Sequence, residues 1–99
     1  MNANLLTIRT EIAELNQPEQ ALALITILDA YAMDPMGGGE PLAEFSRKNL
    51  PEILASRPDY SGIFALDQQR VIGLCNCFDA FSTFACQPIL NIHDIYVAP

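Results

Sequence analysis

Basic residues are scarce in this sequence: five lysines and arginines stand against twelve aspartates and glutamates, and the formal net charge is −7. Such a charge opposes binding to nucleic acid or to an anionic membrane surface, because both partners are also negative. It suits a cationic or amine-bearing ligand, although acidity is also a common route to solubility. The charge therefore argues against two classes of partner and leaves the choice of ligand open.

Two further absences bear on the cell compartment. No apolar run is long enough to cross a bilayer, and residues 1–4 lack the basic leader of a signal peptide. The three cysteines are an odd number, which fits free thiols in a reducing compartment better than a secreted disulfide framework. These features predict a cytoplasmic protein.

Apolar residues, in contrast, are abundant. Of the 99 residues, 51% are hydrophobic and 17% are charged. The length predicts one domain that buries about 65% of the surface of its unfolded chain. A body of this size has little interior in which to hide so many apolar side chains, so the composition predicts self-association or a missing part.

The first half of the chain has helical periodicity after a short strand. The strand is predicted over residues 5–10, and Asn16 or Gln17 is the candidate N-cap of the helix that follows. This helix should end near Met33, because the residue before Pro35 is pushed out of helical geometry.

A flexible loop over residues 34–41 leads to a second predicted helix, which Pro41 can open. Pro51 interrupts that helix, so we expect a kink or a restart near Asn49. The glycines at 37–39 could form an anion nest, but the adjacent Glu40 repels phosphate. A flexible interhelical loop is the preferred interpretation.

The second half of the chain alternates as strands do. Strands are predicted over 60–66 and 71–78 with a hairpin turn between them, and a last strand over 88–97. The segment 79–87 either continues its strand with a bulge or forms an apolar loop. The order β-α-α-β-β-β predicts an α+β fold with four antiparallel strands and two helices packed on one face.

The last strand contains the only histidine, His93, and an adjacent aspartate, Asp94. Both are costly to bury unless they are paired or functional. Neighbours on a regular strand point to opposite faces, so we expect that these two residues do not form one catalytic pair. On that pattern one is hydrogen-bonded in the core and the other meets solvent at a bulge. Asp94 would share a face with Leu90, Ile92 and Tyr96, and His93 would share one with Ile95 and Val97.

The cysteines offer a second candidate site. Cys75 and Cys77 lie two residues apart on a strand and should share a face, and with Cys86 and His93 they could form a zinc site. The spacing lacks the usual two-to-four-residue gap and no second close pair follows. Buried, inert thiols are the preferred interpretation, and no metal is predicted.

The order of elements resembles the N-terminal half of the GNAT N-acetyltransferases. Three features carry the resemblance: Ile8-Arg9 in the first strand, Val71-Ile72-Gly73-Leu74 in the return strand of the hairpin, and Ile95-Tyr96-Val97-Ala98-Pro99 in the last. The last of these matches the hydrophobic-x-Val-x-Pro end of the family's central strand. The resemblance covers nearly the whole chain.

The resemblance implies transfer of an acetyl group from acetyl-CoA to an amine. It assigns the pantetheine arm of acetyl-CoA to the backbone of Ile95, Tyr96 and Val97, and the role of general base to His93 or Asp94. The loop between the helices would border the acceptor site, so that Asp34 and Glu40 could attract a cationic amine.

The family's pyrophosphate-binding loop and C-terminal half have no counterpart in these residues. We therefore interpret residues 1–99 as a truncated GNAT-like domain with little or no activity of its own. The alternative is a non-catalytic half-domain that acts as an interaction or structural module. In both cases the resemblance leaves the last strand and one sheet face uncovered, which predicts a homodimer through Leu90, Ile92 and Tyr96 or through Ile89, Ile95 and Val97.

Overall fold

The computed structural model describes residues 7–99. Strand β1 spans Ile8–Ile12, so the predicted first strand is shifted towards the C-terminus, and its residues 5 and 6 lie outside the described part. Helix α1 spans Pro18–Met33 with Gln17 as its N-cap residue. Pro18 suits the first helical position because no intrahelical partner is needed there. Both predicted ends of this helix are confirmed.

The connection between the helices is more ordered than predicted. It begins with a 3-10 turn at Pro35–Gly37, where the Asp34 carboxylate accepts a hydrogen bond from the backbone N–H of Met36. Helix α2 spans Glu44–Ala55 and runs through Pro51 without a break. The predicted start at Pro41 and the predicted restart near Asn49 are therefore wrong. Continuation through Pro51 costs one backbone hydrogen bond, which the packing of α2 against the core offsets.

Asp29 joins the two helices. Its Oδ1 accepts a hydrogen bond from the backbone N–H of Leu42, 2.9 Å away, and its Oδ2 lies 2.9 Å from Nη2 of Arg47. One carboxylate on α1 therefore holds both the segment that enters α2 and the first turn of α2 itself. This places α2 beside α1 over the sheet.

The sheet is antiparallel with the order β1-β2-β3-β4. Strand β2 spans Tyr60–Asp67, β3 spans Arg70–Ser82 and β4 spans Gln87–Val97. The hairpin turn at residues 68–69 and the last strand are confirmed. Of the two alternatives for residues 79–87, the strand continues to residue 82 and a turn follows.

The core lies between the two helices and one face of the sheet. Leu24 of α1 is fully buried there, and a cluster of buried apolar residues surrounds it. Its members come from both helices, the segment before α1, β2 and β3: Leu15, Leu24, Ile27, Leu28, Leu54, Phe64, Leu66 and Leu74. The predicted α+β arrangement with both helices on one face of the sheet is confirmed.

Candidate functional site

Strand β4 carries an extra residue where it passes β3. Asp94 pairs with Asn76, whereas the next pair along the ladder joins Ile92 to Cys77, so that His93 has no partner of its own. This is a β-bulge, which bends the strand and re-aims side chains. It lies in the middle of the last strand, where the sequence placed the only histidine.

The bulge brings His93 and Asp94 to the same side of the sheet. The His93 ring lies edge-on to Phe78, with 5.7 Å between the ring centroids, and Phe78 packs against the core on the helix side. The Asp94 carboxylate contacts Asn76, which is buried on that side as well. The expectation that the two residues point to opposite faces is therefore wrong, because it assumed an uninterrupted alternation.

The same bulge regroups the apolar residues of β4. Residues directly opposite each other in a ladder share a face, and Ile92 and Ile95 oppose Cys77 and Cys75 respectively. The predicted grouping of Leu90 and Ile92 with Tyr96 is wrong for this reason. A stripe of exposed apolar residues instead follows the side of the sheet without helices: Ile12, Phe81, Leu90, Ile92, Ile95 and Val97. We refer to these six residues as the helix-free face.

Asn76 is the only polar residue classed as buried within residues 7–99, with 3% of its surface exposed. Its Nδ2 donates to Oδ2 of Asp94 over 3.1 Å, and its Oδ1 accepts from the hydroxyl of Tyr60 over 2.7 Å. An ionised carboxylate can only accept, so the amide nitrogen of Asn76 must face Asp94 and its oxygen must face Tyr60. Three side chains on β2, β3 and β4 thus form one chain of hydrogen bonds.

Gly62 makes room for this chain. It lies opposite Asn76 in the ladder, and the Tyr60 ring leans over it to reach the amide. A Cβ at position 62 would overlap the Tyr60 hydroxyl. The glycine in β2 is therefore required by the close approach of Tyr60 rather than by a turn.

Burial has a clear effect on the phenol of Tyr60. The pKa of Tyr60 is raised to about 12, chiefly by burial and in smaller part by the negative charges that Cys77, Asp94 and Cys75 can carry. The phenol therefore keeps its proton across the physiological range. It acts as a hydrogen-bond donor to Asn76 throughout that range.

His93, Asp94 and Asn76 line a cavity of about 210 Å³ between the helices and the sheet. Its remaining walls are apolar and come from α1, α2 and β3: Leu28, Leu50, Leu54 and Phe78. Apolar walls with a few convergent polar groups are the usual form of a ligand site, and this cavity is smaller than the usual range of about 300–1,000 Å³. Neither Asp34 nor Glu40 lies among its walls, since both belong to the connection between the helices.

The backbone of β4 has one unpaired edge within the described residues, because β4 is the last strand of the sheet. The N–H of Ala98 donates to the carbonyl of Ile72 on β3. Backbone groups alternate along an antiparallel strand, so Tyr96 also directs its N–H and C=O to β3, and Ile95 and Val97 direct theirs to the unpaired edge. Of the three residues predicted to bind pantetheine through the backbone, this arrangement favours Ile95 and Val97.

The cysteines do not converge on a metal site. Cys75 and Cys77 share a face, as predicted, with 3.5 Å between their sulfurs, and burial raises the pKa of the Cys75 thiol. Cys86 is exposed in the β3–β4 turn, so the prediction of buried thiols is wrong for this residue. Residues 7–99 contain no group of three or more histidine, cysteine, aspartate or glutamate side chains that could hold a metal ion.

Sequence comparisons give no family for this chain. No protein-family model matches it, and no curated protein does. None of the helices within residues 7–99 has the length and hydrophobicity of a membrane crossing.

Solved structures, in contrast, match almost the whole chain. A probable acetyltransferase is 28% identical with a TM-score of 0.71, over 91% of this chain and 57% of its own. An aminoglycoside acetyltransferase from an uncultured soil metagenomic sample is 15% identical with a TM-score of 0.68, over 95% and 58%. A GNAT family acetyltransferase of Staphylococcus aureus is 16% identical with a TM-score of 0.69, over 92% and 62%.

These likenesses define the architecture: the chain has a partial GNAT-like fold. It spans about three fifths of the length of the acetyltransferases that it matches. The fold expected from Ile8-Arg9, the hairpin and the last strand is therefore confirmed.

Sequence reasoning did not identify Asn76 or Tyr60 as site residues. A signal was present for Asn76, which is the one strongly polar residue within the otherwise apolar segment 71–78. Such a residue in a buried strand requires a hydrogen-bond partner. No comparable signal marked Tyr60, because its partner is set by the strand register.

Proposed function

We propose that this chain forms the acceptor side of an acetyl-transfer site, in which an acetyl group passes from acetyl-CoA to an amine. The observation that carries the proposal is the bulge at His93. It aims His93 and Asp94 into one cavity, while the next residues of β4 direct backbone groups to an unpaired edge. The acetyltransferase folds that the chain resembles support this assignment.

Asp94 and His93 have different roles towards the amine. Asp94 holds the ammonium form through charge, since one of its oxygens is already bound to Asn76 and stays in place. His93 accepts the proton, because the amine must be neutral to attack and imidazole is the most frequent general base. The amine nitrogen then bonds to the carbonyl carbon of the thioester and the carbon–sulfur bond breaks. The second proton that the nitrogen loses passes to the departing thiolate. Backbone N–H groups of Ile95 and Val97 are suited to orient the donor beside it.

Asp34 and Glu40 act at longer range in this proposal. They lie on the connection between α1 and α2, outside the cavity. Their negative charges raise the local concentration of a cationic acceptor rather than bind it. This role of Asp34 and Glu40 is part of the proposed function, as is the acceptor amine.

Acetyl-CoA also carries phosphates, and these 99 residues contain few basic side chains that could bind them. Three of the five basic residues already pair with carboxylates: Arg9 with Glu11, Arg47 with Asp29, and Arg57 with Asp59. We therefore propose that this chain alone binds acetyl-CoA weakly and has little activity, and that the phosphates are held by residues outside this sequence. Calorimetry tests this point: a dissociation constant in the micromolar range would contradict it.

The catalytic proposal is tested by replacing the base. At saturating acetyl-CoA and amine, acetylated amine should accumulate slowly, and His93→Gln should lower the rate by about 10²-fold or more. Asp79→Asn is the control, since Asp79 is an exposed acid of β3 outside the cavity. Equal rates for the parent chain and His93→Gln would refute the assignment of the base.

A second candidate function, a homodimeric interaction module, is favoured by the helix-free face. Its six residues are 54 to 74% exposed, which amounts to roughly 500 Å² of apolar side chain per copy. Two copies would bury roughly 1,000 Å², the lower limit of a specific interface. Among the residues of β3 and β4 that pair with each other, Asp79 is the only charged one on this side, so this part of the face offers a second copy little like charge despite the net charge of −7.

We propose that a second copy covers this face, including the last strand, as an isologous pair. Sedimentation velocity should show a dimer whose fraction grows with concentration, and Ile95→Glu should abolish it. Leu22→Glu is the matched control, since Leu22 is 68% exposed on α1, away from the face. A monomer at every concentration, or an unchanged dimer in Ile95→Glu, would contradict the proposal.

Free thiols at all three cysteines support a cytoplasmic location, which we propose as well.

A further inference from the structure

We propose that Tyr60 and Asn76 are positioning residues, which hold Asp94 as the ammonium-binding group of a cavity that accepts small amines with one ring or a short hydrocarbon body. This inference rests on the proposed function for its choice of ligand and goes beyond it in naming two further residues and a size limit. The geometry carries it: a buried chain of hydrogen bonds ends on the carboxylate at the cavity wall.

The cost of burying Asn76 indicates that the series of hydrogen bonds from Tyr60 through Asn76 to Asp94 has a function. Burying an amide such as that of Asn76 is unfavourable unless every polar atom finds a partner. Here both ends of the amide are bonded, and no buried side-chain nitrogen or oxygen within the described residues lacks a partner. An apolar residue of similar shape would fill the same space without these requirements. What the amide adds is a fixed direction for the Asp94 carboxylate.

The direction of the Asp94 carboxylate is fixed because the two hydrogen bonds point the same way: Tyr60 donates to Asn76, and Asn76 donates to Asp94. Tyr60 can only donate to Oδ1 of Asn76, since Nδ2 faces the carboxylate. Each bond polarises the next and strengthens it in a low-dielectric interior. Only Oδ2 of Asp94 is used by a described side chain, so Oδ1 remains for a ligand. No lysine or arginine lines the cavity. The guanidinium of Arg57, which lies over the Phe78 ring at 5.5 Å from its centroid, is paired with Asp59.

The capacity of the cavity limits the ligand. A cavity of about 150 Å³ lined by apolar side chains holds one benzene molecule, and this cavity measures about 210 Å³. A single ring with an aminomethyl group therefore fits, with the ring against Leu28, Leu50 and Phe78 and the ammonium group at Asp94. A long polyamine does not fit in its entirety.

Binding of benzylamine to the 99-residue chain tests the proposal without any need for activity. Benzyl alcohol, of the same size but without the charge, measures the apolar part of the affinity. Spermine measures non-specific attraction to the net charge of −7. Titrations followed by backbone amide spectra should place benzylamine at the cavity, with an affinity at least about tenfold above that of benzyl alcohol.

Four variants form two matched pairs. Asp94→Asn should remove the preference for benzylamine over benzyl alcohol, whereas Asp79→Asn, with the same loss of charge, should keep it. Tyr60→Phe should reduce the preference about threefold, whereas Tyr31→Phe, which removes a hydroxyl outside the cavity, should leave it within error. If Tyr60→Phe is poorly folded, Gly62→Ala displaces the same hydroxyl and should give the same reduction.

Three results would overturn the inference. They are no benzylamine binding at millimolar concentration, an unchanged preference in folded Tyr60→Phe or Gly62→Ala, and equal effects of Asp94→Asn and Asp79→Asn. A merely structural role of Tyr60 would lower thermal stability and leave the ratio of the two affinities unchanged. Selective amine binding without acetyl transfer would refute the proposed function but not this inference, and the reverse result would refute only the inference.

Discussion

The phenol of Tyr60 makes the stability of the fold depend on alkaline pH in a specific window. The pKa of Tyr60 is raised to about 12 in the fold, against about 10 in an unfolded chain. Between these values the native state holds a proton that the unfolded state has released. The contribution of the protonated Tyr60 phenol to the free energy of unfolding is therefore fully present below about pH 10 and is lost as the pH rises towards about 12.

The magnitude follows from the size of the shift. Two pKa units correspond to about 2.7 kcal/mol of unfolding free energy. Tyr60 is only half-buried, so solvent screening reduces the expected loss to about 1 kcal/mol. Denaturant unfolding at a series of pH values measures it, with Tyr60→Phe and Tyr31→Phe compared with the parent chain.

Tyr60→Phe should be less stable than the parent by about 1–2 kcal/mol at neutral pH, because it leaves the carbonyl oxygen of Asn76 without its donor. This difference should shrink between about pH 10 and about pH 12, where the parent loses its advantage. Tyr31→Phe should follow the parent curve, because it leaves the hydrogen bond from Tyr60 to Asn76 in place. A Tyr60→Phe curve parallel to that of the parent would refute the reasoning.

Two further predictions concern the core and the thiols. Leu24→Ala should lower the unfolding free energy by about 2–5 kcal/mol, because Leu24 is fully buried among other side chains. Leu22→Ala, on the exposed side of the same helix, should lower it by about 0.5 kcal/mol or less. Equal losses in the two variants would contradict the position of the core. A thiol reagent should modify Cys86 first, since it is exposed. Cys75, whose pKa is raised by burial, should follow slowly, and Cys77 should react only on unfolding; early reaction of Cys77, followed by mass spectrometry, would contradict its burial.

Local signals in the sequence were sufficient for most elements of the fold. Pro18 and Pro35 bracket α1, and both act through the geometry of the proline ring or of the residue before it, which needs no knowledge of distant contacts. Pro51 shows the limit of such reasoning. Its local preference to end a helix is overridden by packing of α2 against α1 and the sheet, which a single sequence does not display.

Only part of the geometry of the candidate site could be derived from the sequence. The identity of His93 and Asp94 follows from their rarity in an apolar strand, but their relation to each other depends on one extra residue in the β3–β4 ladder. A bulge of this kind is a property of the pairing between two strands, and neither strand alone encodes it visibly. For the same reason the grouping of Ile92 with Ile95 could not be derived from alternation.

The central claim is that the bulged strand β4 receives the acyl donor along its unpaired edge, beside the cavity that holds the amine. Backbone amide spectra recorded with a pantetheine thioester, which lacks the phosphates of acetyl-CoA, test it most directly. We expect the amides of Ile95 and Val97 to shift on titration, while those of Asp94 and Tyr96, which by the alternation of the strand donate to β3, stay nearly unchanged. Equal shifts along β4, or shifts confined to other elements, would contradict it.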